Sequence, residues 1–162
     1  MFRPMRRNKQ QLTADECMEI LREGTSGVLA VSGDDDYPYA VPLSYVCDGD
    51  KLYFHCARTG HKLDAVARNP KASFCVIGQD KVSPEEYTTH FKSVIVFGRV
   101  RIIDDEIQKL SAIRKLAERY APNDSKANRE AMIGKEWAPL CMLEMSMEHV
   151  SGKQARELMA KK

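Results

Sequence analysis

The segment Tyr53 to Asn69, YFHCARTGHKLDAVARN, holds the residues of this chain best suited to chemistry: a β-like stretch runs into a Gly-containing loop and then into a helical period. A helix start exposes unpaired backbone N–H groups and the positive end of the peptide dipoles, so it favours an anion. His61 and Lys62 fall in that first turn, where a cation is unfavourable unless something negative offsets it. A phosphate held by the amides after Gly60, with Lys62 as its counter-charge, removes the conflict. A Lys62 side chain that simply points into water is the other reading.

His55 lies between Phe54 and Cys56, and strand alternation puts it on the opposite face from both. Such a histidine either braces the strand or carries a proton near neutral pH. Upstream, Tyr39-Ala40-Val41-Pro42-Leu43-Ser44-Tyr45 is a strand pattern interrupted by proline. Pro42 cannot donate to a ladder, so the strand there is an edge, a bulge or a surface against which something else lies. A flat aromatic cofactor suits that place, and so does an ordinary edge. Trp137 reads equally as a core plug or as a pocket wall, while His90 and His149 carry no motif.

Side-chain nucleophile chemistry finds no support, because G-x-S-x-G, H-E-x-x-H and G-x-x-x-x-G-K-[ST] are all absent. The cysteines, Cys17, Cys47, Cys56, Cys75 and Cys141, form no C-x-x-C pair and no cluster with zinc spacing. No metal is therefore expected, and the thiols read as reduced, small hydrophobes.

With 162 residues, 43% hydrophobic and 30% charged, the composition is that of one soluble globular domain. No apolar run approaches the roughly 18 residues that span a bilayer, and the start MFRPMRRNKQ lacks the apolar stretch of a secretory leader. No membrane partner is expected, and the cytoplasm is the expected compartment. The net charge is +2; Arg3, Arg6, Arg7 and Lys9 give the first ten residues +4 and the last ten add +3, leaving −5 between. The basic ends read as solvated tails, 1–12 being a basic N-terminal tail ahead of a single domain over 13–162. A nucleic-acid partner, which needs a basic patch on the folded body, is not expected.

The elements that must position these residues follow from period and punctuation. Thr13 and Glu16 form a capping box for a helix from about Asp15 to Glu23, stopped by Gly24. Gly27 to Ser32, Tyr39 to Cys47 and Lys51 to Ala57 read as an antiparallel meander, with turns at Gly33-Asp34-Asp35-Asp36 and Asp48-Gly49-Asp50. Leu63, Val66 and Ala67 mark a short crossover helix ended by Asn69-Pro70. Strands over Lys71 to Ile77 and Phe91 to Ile103 follow, then a helix marked by Ile107, Leu110, Ile113, Leu116, Ala117 and Tyr120. A strand over Pro139 to Met147 and a short basic tail helix after Gly152 complete the chain. The pattern is that of a small α+β barrel.

Four segments, PYAVPLSYV (Pro38 to Val46), LYFHCARTGHKLDAVARNP (Leu52 to Pro70), YTTHFKSVIVFGRVRII (Tyr87 to Ile103) and LEMSMEHVSGK (Leu143 to Lys153), come in an order and spacing that resembles a known family. They are similar to the flavin-binding split-barrel proteins related to pyridoxamine 5′-phosphate oxidase, in particular the branch with the Nim-type nitroimidazole reductases. The resemblance covers about Thr13 to Lys153. It implies an α+β fold, a six-stranded antiparallel split β-barrel with flanking helices, that forms a homodimer and binds one FMN in each of two grooves between subunits. By the same resemblance Val41, Pro42, Leu43 and Ser44 match the strand whose backbone lies along the flavin ring, and His55 and Cys56 match cofactor-facing positions. Gly60, His61 and Lys62 match the turn that holds the FMN phosphate. Lys92 and Ser93 match the strand that reaches the flavin from the partner subunit.

The tail SGKQARELMAKK does not reproduce the basic cluster with which the oxidase grips its substrate phosphate, which speaks against vitamin B6 oxidation. His55 occupies the place of the flavin-side histidine of the Nim-type reductases and is the catalytic candidate. The resemblance thus implies an FMN-dependent oxidoreductase acting on small electrophiles such as nitroaromatic compounds. A flavin-binding or flavin-sensing protein without turnover, or an enzyme like the oxidase itself, are the alternatives.

Overall fold

The capping box is formed: Glu16 N–H donates to Thr13 Oγ1 (3.2 Å) and Thr13 N–H donates to the Glu16 carboxylate (2.7 Å), starting helix α1, Ala14–Glu23. In this computed structural model, which describes residues 1–159, three further helices follow, α2 (His61–Arg68), α3 (Glu106–Tyr120) and α4 (Lys126–Glu136). The strands are β1 (Ser26–Ser32), β2 (Pro38–Asp48), β3 (Lys51–Ala57), β4 (Lys71–Ser83), β5 (Thr88–Ile102) and β6 (Leu140–Gln154). They close into an antiparallel barrel in the order β1-β2-β3-β6-β5-β4.

Alternation along each strand fills the interior with Leu29, Tyr45, Leu52, Phe54, Phe74, Val76, Val94, Val96, Leu143 and Met145. Phe74 lies at the centre, edge-on to Tyr45 at 5.0 Å and to Phe54 at 4.9 Å. α1 closes one end with Cys17 and Leu21 buried on the same core. A second apolar cluster outside the barrel, built on Ile103, Ala112, Leu140 and Met142, seats α3 against β6, and the partly buried Trp137 packs against it.

The barrel is split. β1 pairs with β2 from Ser26↔Ser44 to Ser32↔Pro38, but β2 pairs with β3 only from Tyr45↔Phe54 to Asp48↔Lys51. Beyond Tyr45 the strands part, while β3 stays paired along its other edge with β6 from Lys51↔Ser146 to Ala57↔Leu140. The edge of β2 that faces this gap, through Pro42, has no strand partner.

Several expectations need correction. β4 continues to Ser83 and β5 begins at Thr88, because the polar stretch after Gly78 pairs as a hairpin that solvates both faces. α4 was not legible: only Ile133 of its residues is buried, so it lacks the apolar stripe that marks a packed helix. On α3 the buried positions are Lys109, Ala112 and Leu116, whereas Ile107 is 81% exposed, so the helix is rotated from its apolar pattern. The strand that ends the fold runs through Gln154, and the expected tail helix is only a 3-10 turn over Arg156–Leu158, with 160–162 outside the described residues. The basic N-terminal segment exposes its arginines yet lies on the barrel. Phe2 stacks on His149 at 4.6 Å, Leu12 is buried, and the Leu12 N–H donates to the Gly152 carbonyl (2.9 Å), so apolar burial holds down a segment read as solvated. No helix among the described residues is long and apolar enough to cross a membrane.

The fully buried Tyr45 hydroxyl donates to the Leu21 carbonyl (2.7 Å), fastening β2 to the end of α1, and burial pushes its phenol pKa up. Tyr45→Phe leaves that carbonyl without its partner and is expected to lower stability by about 1 to 2 kcal/mol. Urea denaturation followed by far-UV circular dichroism checks this; an unchanged midpoint and slope would remove the bond from the fold's support.

Candidate functional site

α2 begins where β3 ends, directly across the gap from the unpaired edge of β2. Gly60, at φ 143° and ψ 167°, makes the turn; glycine is needed for that φ, and nothing lies within 4 Å of where a Cβ would stand. No side chain caps the helix, and the Leu63 and Asp64 N–H groups turn back to the Gly60 carbonyl (3.0 and 3.2 Å). The His61 and Lys62 N–H groups are left without an intrahelical acceptor. Lys62 is half-buried and its charge acts on the Cys56 thiol at the end of β3.

His61 does not join Lys62. Its ring stacks on Tyr39 of β2 at 4.1 Å, and its Nε2, buried without a hydrogen bond, lies 3.7 Å from the Asp34 carboxylate. Asp34 also accepts from Arg68 at the other end of α2 (2.7 Å). The His61 side chain is thus a strut across the gap. The signal for Asp34 and Tyr39 lay in the Asp34-Asp35-Asp36 turn and the strand after it, but sequence spacing does not connect them to α2.

Val41 and Leu43 turn inward against the barrel core, whereas Pro42 and Ser44 alternate to the outer face. His55 and Cys56, expected to face one cofactor together, point to opposite faces. Cys56 packs on the barrel core opposite Cys141, and burial pushes its thiol up to about 12, with Cys141 adding to the rise and Lys62 opposing it. Such a thiol is protonated and inert. His55 stands on the outer face, where desolvation by the surrounding protein lowers its pKa and favours the neutral ring.

His55 opens onto a cavity of about 520 Å³ between α3, α4 and the ends of β3 and β6. Its walls include Ile113, Ala117, Tyr120, Met132, Ile133 and Leu140. The cavity escaped sequence reasoning because one wall, Arg129, Met132, Ile133 and Glu136, belongs to α4. Lys109, buried on α3, donates to the Trp137 carbonyl (3.3 Å) and lies 4.1 Å over the indole ring. Desolvation and the nearby Arg58 lower its pKa.

Lys92 and Ser93 are on β5, across the barrel from β2, so one chain does not bring them to the gap. They lie beside an outward row that runs strand to strand through Pro42, Val28, Cys75, Ile95 and Ser151. Val28, Ile95 and Phe97 are about 40% exposed and Ile77 is 65% exposed, giving a continuous apolar strip from β2 to β5.

Comparisons with known proteins agree with this architecture. A profile of the pyridoxamine 5′-phosphate oxidase family matches residues 13–154. An uncharacterized protein of Rhizobium meliloti (strain 1021) is 32% identical over 88 residues, covering 54% of this chain, and the chain spans about half of that relative's length (53%). Among solved structures, a FAD-binding protein from Mesorhizobium loti is 28% identical at a TM-score of 0.65, over 90% of this chain and 96% of that one. A candidate 5-nitroimidazole antibiotic resistance protein from Bacteroides thetaiotaomicron has a TM-score of 0.74 at 18% identity, covering 88% and 85%. The FAD and heme binding protein from Mycobacterium smegmatis has a TM-score of 0.75 at 23% identity, covering 91% and 74%. With its profile match across nearly the whole barrel, the parted strands and the uncapped turn after β3, the chain belongs to the pyridoxamine 5′-phosphate oxidase family.

Proposed function

We propose that this protein is an FMN-binding oxidoreductase that reduces small electrophiles such as nitroaromatic compounds. The observation that carries the reading is the uncapped first turn of α2, with Gly60, free amides and Lys62, set against the unpaired edge of β2. Those residues fit the cofactor: the amides of His61 and Lys62 and the Lys62 ammonium suit the phosphate, and the backbone of Val41, Pro42, Leu43 and Ser44 offers an edge to a flat ring. When bound, FMN supplies the electron and hydride transfer, so the chain needs no nucleophile of its own. The protein's part is to bind, orient and exclude water. Cys56, protonated and packed inward, takes no share in the chemistry. His55 is a neutral hydrogen-bonding group at the mouth of the cavity, able to donate to a substrate oxygen.

The groove is completed by a second copy of the chain. The apolar strip from Pro42 to Ile95 gives a homodimer face, and it ends beside Lys92 and Ser93, which then reach the partner's groove. A second reading, FAD in place of FMN, is favoured by the Mesorhizobium loti relative, a FAD-binding protein. Titrating apo-protein with both flavins under identical conditions decides between them, and a flavin that binds but is never turned over marks a binding or sensing protein instead.

Lys62→Ala is expected to weaken FMN binding by about 1.5 to 3 kcal/mol, the scale of a charge-assisted hydrogen bond. Fluorescence titration of apo-protein with FMN measures this, and an unchanged dissociation constant takes Lys62 out of the site.

Light scattering should give twice the 18.4 kDa chain mass, and Ile95→Asp should yield a monomer that has lost its flavin. A wild-type monomer that holds FMN rules out the shared groove.

His55→Ala should leave FMN bound with a normal spectrum while slowing nitroaromatic reduction per flavin by roughly 10²-fold. Because desolvation lowers the His55 pKa, the ring is neutral above its ordinary value near 6.5, and the wild-type rate should be level above that pH and change only below it. A variant with a wild-type rate per flavin would show His55 to be a brace.

A further inference from the structure

We infer that the cavity between α3, α4 and the end of β3 is the substrate pocket of this protein, and that it takes an uncharged, flat ring system in preference to an ionised one. The inference rests on the flavin-reductase reading and specifies which molecules that site admits.

The cavity's volume, about 520 Å³, lies in the range of pockets that enclose small molecules. Its wall is apolar where the helices face each other, through Ile113, Ala117 and Met132. Three charged side chains line it, Asp124, Arg129 and Glu136, and the first two also hold the helices together. Arg129 Nη1 donates to the Ala121 carbonyl (3.1 Å) and to the Asp124 carbonyl, and Asp124 Oδ2 accepts from Asn128 (2.7 Å). Glu136 is exposed at the margin. The Arg129 guanidinium is outweighed by the two carboxylates among the described residues of the wall, so an anion entering would surrender its hydration to net negative surroundings. On the β3 side the lining is Ala57, the protonated Cys56 thiol and the His55 ring, for which no hydrogen bond is formed among the described residues. Its neutral form donates through one nitrogen and accepts through the other, which suits a nitro, carbonyl or ring N–H group on an otherwise apolar ligand. The pocket extends toward the cofactor turn, since Cys56 lines it and the Lys62 charge acts on that thiol.

The matched pair 5-nitroindole and 5-nitroindole-2-carboxylate separates charge from shape. Calorimetric titration of the 162-residue chain as purified, without reductant, should show 5-nitroindole binding and the carboxylate binding at least tenfold more weakly. Ala117→Phe fills the cavity from α3, and Met132→Trp fills it from an exposed position on α4 whose replacement does not threaten the core. Each should weaken 5-nitroindole at least tenfold. Equal binding of the two compounds overturns the charge preference; absence of 5-nitroindole binding, or binding unchanged in both variants, overturns the pocket. The visible spectrum of the same samples reports the flavin reading separately. A colourless protein that still binds 5-nitroindole through this cavity defeats that reading and keeps the pocket, whereas a yellow protein that binds none does the reverse.

Discussion

A strand inside a barrel must pair both of its edges, and β2 beyond Tyr45 pairs only one. Unpaired peptide groups away from water cost about 1 to 3 kcal/mol each, so such an edge persists only where solvent or another molecule completes it. Pro42 reduces the cost by removing one donor from the exposed run. β3 stays with β6 to its end at Ala57↔Leu140 but leaves β2 after Phe54, so the edge of its last three residues toward β2 is open. The divergence of β3 from β2 thus produces both the opening and the place where α2 starts.

β2 serves three neighbours at once, and the period of two allows it. Val41 and Leu43 feed the barrel core, the backbone between them lines the gap, and Pro42 opens the outward apolar row. The same alternation separates His55 from Cys56. His55 stands on the outer face under α3 and α4, while Cys56 packs half-buried on the barrel core against Cys141, its thiol at the edge of the same cavity. A change on this strand or on β3 is therefore read out by its parity as much as by its identity.

Much of this was legible in the chain itself where the cause is local. The Thr13–Glu16 box, the proline in β2 and the glycine before α2 each act through their own backbone, so the elements they punctuate stand as expected. What escaped is what depends on distant partners. Lys109 occupies a buried position on α3 because Trp137 offers it a carbonyl and an aromatic face, and no spacing on α3 announces that. α4 presents little apolar surface and is held by Arg129 and Asp124 to the end of α3, with Arg114 and Glu130 bridging the pair (2.7 Å), so polar contacts do what an apolar stripe does elsewhere. The pairing of His61 with Tyr39 and Asp34 brings together residues far apart in sequence, and so a side chain expected at the anion-binding turn became a strut.

Asp34 gives that strut a further meaning. The turn between β1 and β2, with Asp35 and Asp36 both at positive φ, is short, polar and exposed, the kind of connection in which related chains usually accept insertions and deletions. Here its first aspartate faces both His61 and Arg68, the two ends of α2, from the opposite bank of the gap. The turn therefore acts as a length gauge. Adding or removing a residue would tilt α2 and carry the Gly60 turn with it, so the tolerance that the surface position suggests is withdrawn by a helix that follows it two strands and a loop later in the chain.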